Sequence, residues 1–265
     1  MFAWGLLLLT SCEKAFDYSP YVIDFDDDNK DVNARNIARL SSNTNSDNII
    51  RIALTGDSHR FYDELEDFVG AVNNRNKTQS IDMVIHVGDL TDFGLPQQYL
   101  WGNEKLLKLN MPYMMVIGNH DLVSNGGDAY QTMFGLYNFT FIFDSIKFVF
   151  INTNSLEFDM NGQVPDVSWL DAQLKPAGDF RKAVVIFHVA PWHNEFDPDL
   201  TTPFTQTLAR YHNVLFAAHG HMHDFAVLQP YNDSVTYVNV YSTEHRKYNV
   251  IEIKNDTIEV QTYEF

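Results

Sequence analysis

Eight residues of this chain have the donor types and spacing of a metal site: Asp57, His59, Asp89, Asn119, His120, His188, His221 and His223. All offer oxygen or nitrogen. Neutral imidazoles with carboxylates suit Zn, Mn, Fe or Ni, and the absence of any Cys from the set excludes thiolate zinc and iron–sulfur chemistry. In an extended segment alternate side chains share a face, so Asp57-x-His59 and His221-x-His223 can each grip an ion from one direction. A lone His is an ordinary core residue. The ordered tetrapeptides Gly118-Asn119-His120-Asp121 and Gly220-His221-Met222-His223 carry far more weight.

Each polar cluster follows an apolar, β-branched run. The runs are Ile49–Thr55, Ile81–Val87, Tyr113–Ile117, Ala183–Phe187 and Asn213–Ala218. Near-continuous apolar runs are the signature of strands buried on both faces. Helical periods lie between them, with Tyr62, Leu65, Phe68, Val69 and Val72 on one face. Tyr99, Leu106 and Leu109 with Trp101 nearby predict a second helix, and Trp169, Leu170, Gln173 and Leu174 a third. Strand–helix alternation predicts an α/β core with helices outside and ligands at the carboxyl ends of the strands. Residues 139–151 read as a strand pair turning at Asp144-Ser145, and residues 225–265 as a β meander with a hairpin turn at Asn255-Asp256. Residues 122–140, 157–167 and 192–204 read as irregular loops at the mouth of the site. Asn33 to Leu40 predicts a short helix. His86 reads as a core histidine, and His193, His212 and His245 as surface or loop residues, with His193 the one placed to meet a substrate.

Taken in order, the clusters spell D-x-H (Asp57-Ser58-His59), G-D-x-x-D (Gly88-Asp89-Leu90-Thr91-Asp92), G-N-H-D, the isolated His188 and G-H-x-H. This set resembles the calcineurin-like metallophosphoesterase family over about residues 49–253. Trp169-Leu170 and Phe187-His188-Val189-Ala190-Pro191 are similar to its phosphodiesterase-type members. The resemblance implies a two-layer β-sandwich flanked by helices and a centre of two divalent metal ions (Mn, Fe, Zn or Co). It implies Asp57, His59, Asp89 and His223 on the first ion, and Asp89, Asn119, His188 and His221 on the second, with Asp89 bridging. Two such ions roughly 3.5–4 Å apart make hydroxide available near neutral pH. His120 would face the substrate and protonate the leaving oxygen, oriented by Asp121. Asp92 would stand behind the ligands, and His219 beside the last motif as support or substrate contact. Family branches with a charge-transfer iron carry a Tyr where this chain has Asp92, which disfavours a purple centre.

The resemblance thus implies hydrolysis of a small phosphodiester or phosphomonoester. Alternatives are a nucleotide-sugar or lipid-headgroup phosphohydrolase, a nuclease and a non-catalytic metal-binding protein. The 265 residues carry 18 Lys plus Arg against 35 Asp plus Glu, a formal charge of −17, so no general nucleic-acid surface is expected. The acidic run from Asp24 to Asp31 reads as solvated, because the Gly and distal Glu of an EF-hand are missing. Leu6 to Leu9 followed by Thr10-Ser11-Cys12 resembles a bacterial lipobox, with Cys12 the lipidated residue. On that reading residues 1–11 are a signal segment, 12–48 an acidic extension and linker, and 49–265 the catalytic domain. Anchorage through Cys12 would place the protein in the bacterial cell envelope, periplasmic or at the cell surface.

Overall fold

The computed structural model describes residues 19–42, 47–231 and 233–265. Cys12, the signal segment and residues 43–46 of the linker lie outside the described residues. Two sheets form the body. One runs in the order β11-β10-β1-β2-β3, from β1 (Ile50–Thr55), β2 (Met83–His86), β3 (Tyr113–Met115), β10 (Lys247–Lys254) and β11 (Thr257–Glu264). The other runs β4-β5-β6-β7-β9-β8, from β4 (Phe139–Phe143), β5 (Ile146–Phe150), β6 (Lys182–Ile186), β7 (Val214–His219), β8 (Ala226–Leu228) and β9 (Tyr237–Asn239). β1, β2 and β3 are parallel, as are β5, β6, β7 and β9.

The buried strands alternate between two apolar environments, which is why their runs are nearly unbroken. Ile52, Leu54, Met83 and Ile85 face across to Phe148, Phe150, Val184 and Ile186, forming the core between the sheets. Ala53 and Val84 face outward onto α2 (Tyr62–Arg75), α3 (Pro96–Leu106) and α4 (Gly126–Met133), through Leu65, Phe68, Val72, Tyr99, Leu106 and Tyr130. Val149, Val185 and Ala217 of the second sheet face α5 (Val167–Leu174) and α6 (Pro198–Arg210), through Leu170, Leu174, Phe204 and Leu208. The result is a β-sandwich with helices on both outer faces: the strand–helix rhythm predicts the outer helices, and the family resemblance implies the two-layer sandwich.

Asn33, on α1 (Val32–Ser41), accepts from the N–H of Met115 at 2.9 Å and donates to its carbonyl at 3.0 Å. One side-chain amide thereby occupies the open edge of β3, where a neighbouring strand would otherwise bond.

Two sequence expectations change. The tail is not one meander: β8 and β9 join the second sheet, while β10 and β11 join the first. Residues 122–140 hold α4, and residues 192–204 hold the start of α6, so neither is a plain loop. The aromatic stretch ending at Phe143 packs as core: Phe139 stacks on Phe150 at 4.4 Å and Phe141 on Phe148 at 4.9 Å.

Candidate metal centre

The polar clusters meet where the parallel strands of both sheets end. The first sheet delivers Asp57 and His59 after β1, Asp89 after β2 and Asn119 after β3. The second delivers His188 after β6, and His221 and His223 after β7. Asp57, His59 and His223 offer one group of ligand atoms within 4.8 Å of one another, and Asp89, His188 and His221 a second. His188 Nε2 lies 3.1 Å from Asp89 Oδ2 and 3.1 Å from Asn119 Oδ1. Asn119 Oδ1 is also 3.1 Å from His221 Nδ1. His59 Nε2 stands 3.7 Å from Asp89 Oδ2 and 3.4 Å from His223 Nε2. Asp89 therefore sits between the two groups.

Local backbone explains these positions. Asp57 (φ 50°), His59 (45°), Asp89 (59°), His221 (71°) and His223 (60°) are all left-handed. For a residue with a Cβ this costs on the order of 1 kcal/mol or more. The surrounding structure holds them there. Ser242 Oγ donates to the Asp57 carbonyl at 3.1 Å, Thr243 Oγ1 to the Gly56 carbonyl at 3.0 Å, and Ser58 Oγ meets His86 Nε2 at 2.8 Å. His86 is thus the core histidine its strand position predicts. Gly88 has φ +100°, and a Cβ there would come within 2.5 Å of His188 Nδ1. At Gly118 a Cβ would collide with the Asp89 carboxylate.

Asp57 and Asp89 are fully buried, and their ion-pair partners among the described residues are all histidines. Burial raises Asp57 to about 7. Burial opposes ionisation of Asp89 as well, but the adjoining His188 outweighs it and holds Asp89 below its ordinary range. Burial lowers His59 to about 4 and His221 to about 3, so both keep free lone pairs at neutral pH. His188 Nδ1–H donates to the Val87 carbonyl at 2.7 Å, which turns Nε2 toward Asp89 and Asn119. Two buried carboxylates that pair, among the described residues, with imidazoles and with no Lys or Arg fit divalent cations. Uncompensated, that arrangement is costly.

His120 and Asp121 part company. Nδ1–H of His120 donates to the Asp92 carbonyl at 2.9 Å and lies 3.6 Å from Asp92 Oδ1. Its side chain is 40% exposed and packs edge-on against His59. Asp121 does not orient it. The Asp121 carboxylate is buried and accepts from the N–H groups of Asp89 (2.9 Å), Leu90 (3.4 Å), Thr91 (2.9 Å) and Gly118 (3.0 Å), and from the Thr91 hydroxyl (3.0 Å). The cause is the single 3₁₀ turn His120–Leu122, whose successive side chains point about 120° apart. Asp92 does stand behind the ligands, with Oδ1 3.8 Å from His59 Nδ1. His219 is buried against Phe187 and Trp192, and its Nδ1–H donates to the Gly220 carbonyl at 3.1 Å. It supports the turn into His221 and does not reach the mouth. His212 and His245 are exposed and stand apart, whereas His193 reaches His221. Ser242, Thr243 and Glu195 were not legible as site residues, for none lies in a recognisable spacing.

The calcineurin-like phosphoesterase family model matches residues 50–225, which take in every one of these ligand positions. The chain belongs to that family. It is 29% identical over 121 residues to the glycerophosphodiester phosphodiesterase GpdQ of Enterobacter lignolyticus, an alignment covering 40% of this chain and 41% of that protein. The chain thus spans about two-fifths of the curated relative that it matches. Its fold is similar to that of a dimetal phosphatase from Danio rerio, at a TM-score of 0.65 and 13% identity, covering 82% of this chain and 97% of that one. It is similar also to GAP50, the anchor in the inner membrane complex of Plasmodium, at a TM-score of 0.62 and 16% identity, covering 82% and 84%. At such identities these two likenesses concern fold alone.

Proposed function

We propose that this member of the calcineurin-like family hydrolyses a small phosphodiester or phosphomonoester with two divalent ions. The observation that carries the reading is the buried Asp89 carboxylate standing between two ligand groups, with part-exposed His120 packed edge-on against His59. When bound, the ions would acidify a water and offset charge on the phosphate oxygens. Asp57, His59, Asp89 and His223 would hold one, and Asp89, Asn119, His188 and His221 the other. The protein fixes these groups in advance, so no reorganisation is needed as charge develops.

His120 supplies the proton. Its Nδ1–H is committed to the Asp92 carbonyl, so Nε2 is the atom free to face a leaving oxygen. Partial burial works against protonation, but Asp89 and Asp92 outweigh it and raise His120 above an ordinary histidine. These neighbours therefore favour the protonated ring, the form that can donate.

Similarity to a glycerophosphodiester phosphodiesterase favours a diester. Exposed Phe93, next to Asp92, and exposed Met222, between His221 and His223, give the mouth apolar surface. That surface favours the second reading, a lipid-headgroup or nucleotide-sugar ester. The proposal extends to a cell-envelope location through a lipidated Cys12. Radiolabelled palmitate should enter the wild-type protein and not Cys12→Ala, and its failure to enter either in a competent bacterial host would remove the anchor.

The function is tested by stripping the protein of metal and restoring Mn, Zn, Fe(II) or Co. Bis-p-nitrophenyl phosphate should be hydrolysed faster than p-nitrophenyl phosphate. His120→Ala should lose about a hundredfold or more in kcat while retaining its ions. A chain that binds no ion would overturn the reading, and loss of ions in His120→Ala would overturn the role of His120.

A further inference from the structure

His221 is approached from two sides. Its Nδ1 faces Asn119 Oδ1 at 3.1 Å, within the second ligand group. Its Nε2 faces away, 3.0 Å from His193 Nδ1 and 3.4 Å from Glu195 Oε2. The main-chain N–H of Glu195 also points at His193 Nδ1, at 3.3 Å. That nitrogen is therefore an acceptor, and the His193 proton sits on Nε2. Among the described residues, Glu195 Oε2 is shielded from solvent, has no hydrogen bond of ordinary geometry, and faces His221 Nε2. Both atoms behind His221 are thus acceptors, and His221 Nε2–H is the donor in reach.

The segment that brings them there is firmly held. His193 N–H donates to the Ala190 carbonyl at 2.9 Å, Phe196 N–H to the His193 carbonyl at 3.1 Å, and Leu156 N–H to the Glu195 carbonyl at 3.2 Å. Phe196 is buried in the core beneath α6. The same three residues also have the ligand types of an ion site of their own. An ion there together with one at Nδ1 would need His221 to lose both ring protons. The acceptors behind it make that the less favourable arrangement.

We propose that His193 and Glu195 are positioning residues that fix His221 with its proton on Nε2 and its lone pair on Nδ1. In doing so they set the affinity of the ion held by Asp89, Asn119, His188 and His221, while leaving the other ion alone. A metal-bound imidazole whose far N–H is taken by a carboxylate or other acceptor is oriented and made more basic, and loss of such a partner costs about 10–100-fold in metal affinity. The inference rests on the two-ion reading above.

The test is calorimetric titration of Mn(II) into the metal-stripped full chain. The wild type should bind two ions. His193→Ala and Glu195→Ala should each weaken one ion by about 10–100-fold and leave the second unchanged. Glu195→Gln retains an acceptor oxygen and should recover most of the loss. Unfolding temperatures of the metal-stripped variants identify any that fail to fold, and the Gln variant then decides. Wild-type affinity for both ions in both Ala variants would overturn the proposal. Three ions in the wild type, with the third lost in Glu195→Ala, would overturn it in favour of a separate site. Fewer than two ions in the wild type would instead remove the two-ion reading on which it stands.

Discussion

Asp89→Asn should leave a folded protein with no measurable ester hydrolysis and weakened binding of both ions. Asp89 Oδ1 accepts from the His120 N–H at 2.9 Å, while Oδ2 faces His188 Nε2 at 3.1 Å and His59 Nε2 at 3.7 Å. Asn has a single acceptor oxygen. If that oxygen keeps the His120 contact, the NH₂ group turns into the space between the ligand groups and presents protons where a lone pair is needed. The fold survives because the one retained hydrogen bond is the structural one. Loss of a partner behind a metal ligand costs about 10–100-fold in affinity, so loss of a ligand shared by both groups should exceed that for each ion. Metal titration and diester hydrolysis read the two effects separately. Full activity in this variant would refute the shared role.

Asp121→Ala should be the most destabilising single change near the site. Its carboxylate is the common acceptor for four main-chain N–H groups, on the segment after β2 and at Gly118. Burial, with Asp89 nearby, raises it to about 6, so it is still ionised at neutral pH. Removing it strands those buried donors. Each unsatisfied donor costs about 1–3 kcal/mol, and partial relaxation keeps the total near 3–5 kcal/mol. For a domain of this size that corresponds to roughly 10 °C in Tm. Activity should fall together with stability, because Asp89 is carried on the same segment. His120→Ala should behave in the opposite way, losing rate with little change in Tm, since its ring is part-exposed. An unaltered Tm in Asp121→Ala would show that the cage is dispensable.

Much of this centre was legible in the sequence because its physics is local. A strand buried on both faces is nearly apolar throughout, so the runs Ile49–Thr55 and Ala183–Phe187 announced themselves, and the polar residues after them had to lie at strand ends. The division of the tail between sheets was not legible. β8–β9 and β10–β11 are both antiparallel pairs, and alternation alone does not say which sheet a pair joins. α4 was hidden because it opens on Gly126-Gly127, residues that weaken a helix signal. The partner that orients His120 was misplaced because adjacency in sequence suggests a shared partner, whereas a 3₁₀ turn separates neighbours, and the Asp92 carbonyl takes the place expected of Asp121. Glu195 carries no periodicity at all; only the fold brings it behind His221.

The ligands arrive from separate sheets, and this has a thermodynamic consequence. Asp57, His59, Asp89 and Asn119 are rooted in one sheet, and His188, His221 and His223 in the other. Much of the remaining contact between these two layers is apolar and without direction, with a few polar links such as Arg181 Nε to Asp256 Oδ1 at 3.0 Å and Asn154 Nδ2 to the Ile117 carbonyl at 3.1 Å. Ions held by both would act as removable cross-links between them, binding the folded chain and not the unfolded one. At a free ion concentration one hundred times Kd, a single such site adds about 2.7 kcal/mol to the free energy of unfolding. The resistance of this protein to heat is then a property of its surroundings as much as of its sequence, and a chelator should lower it without breaking a covalent bond.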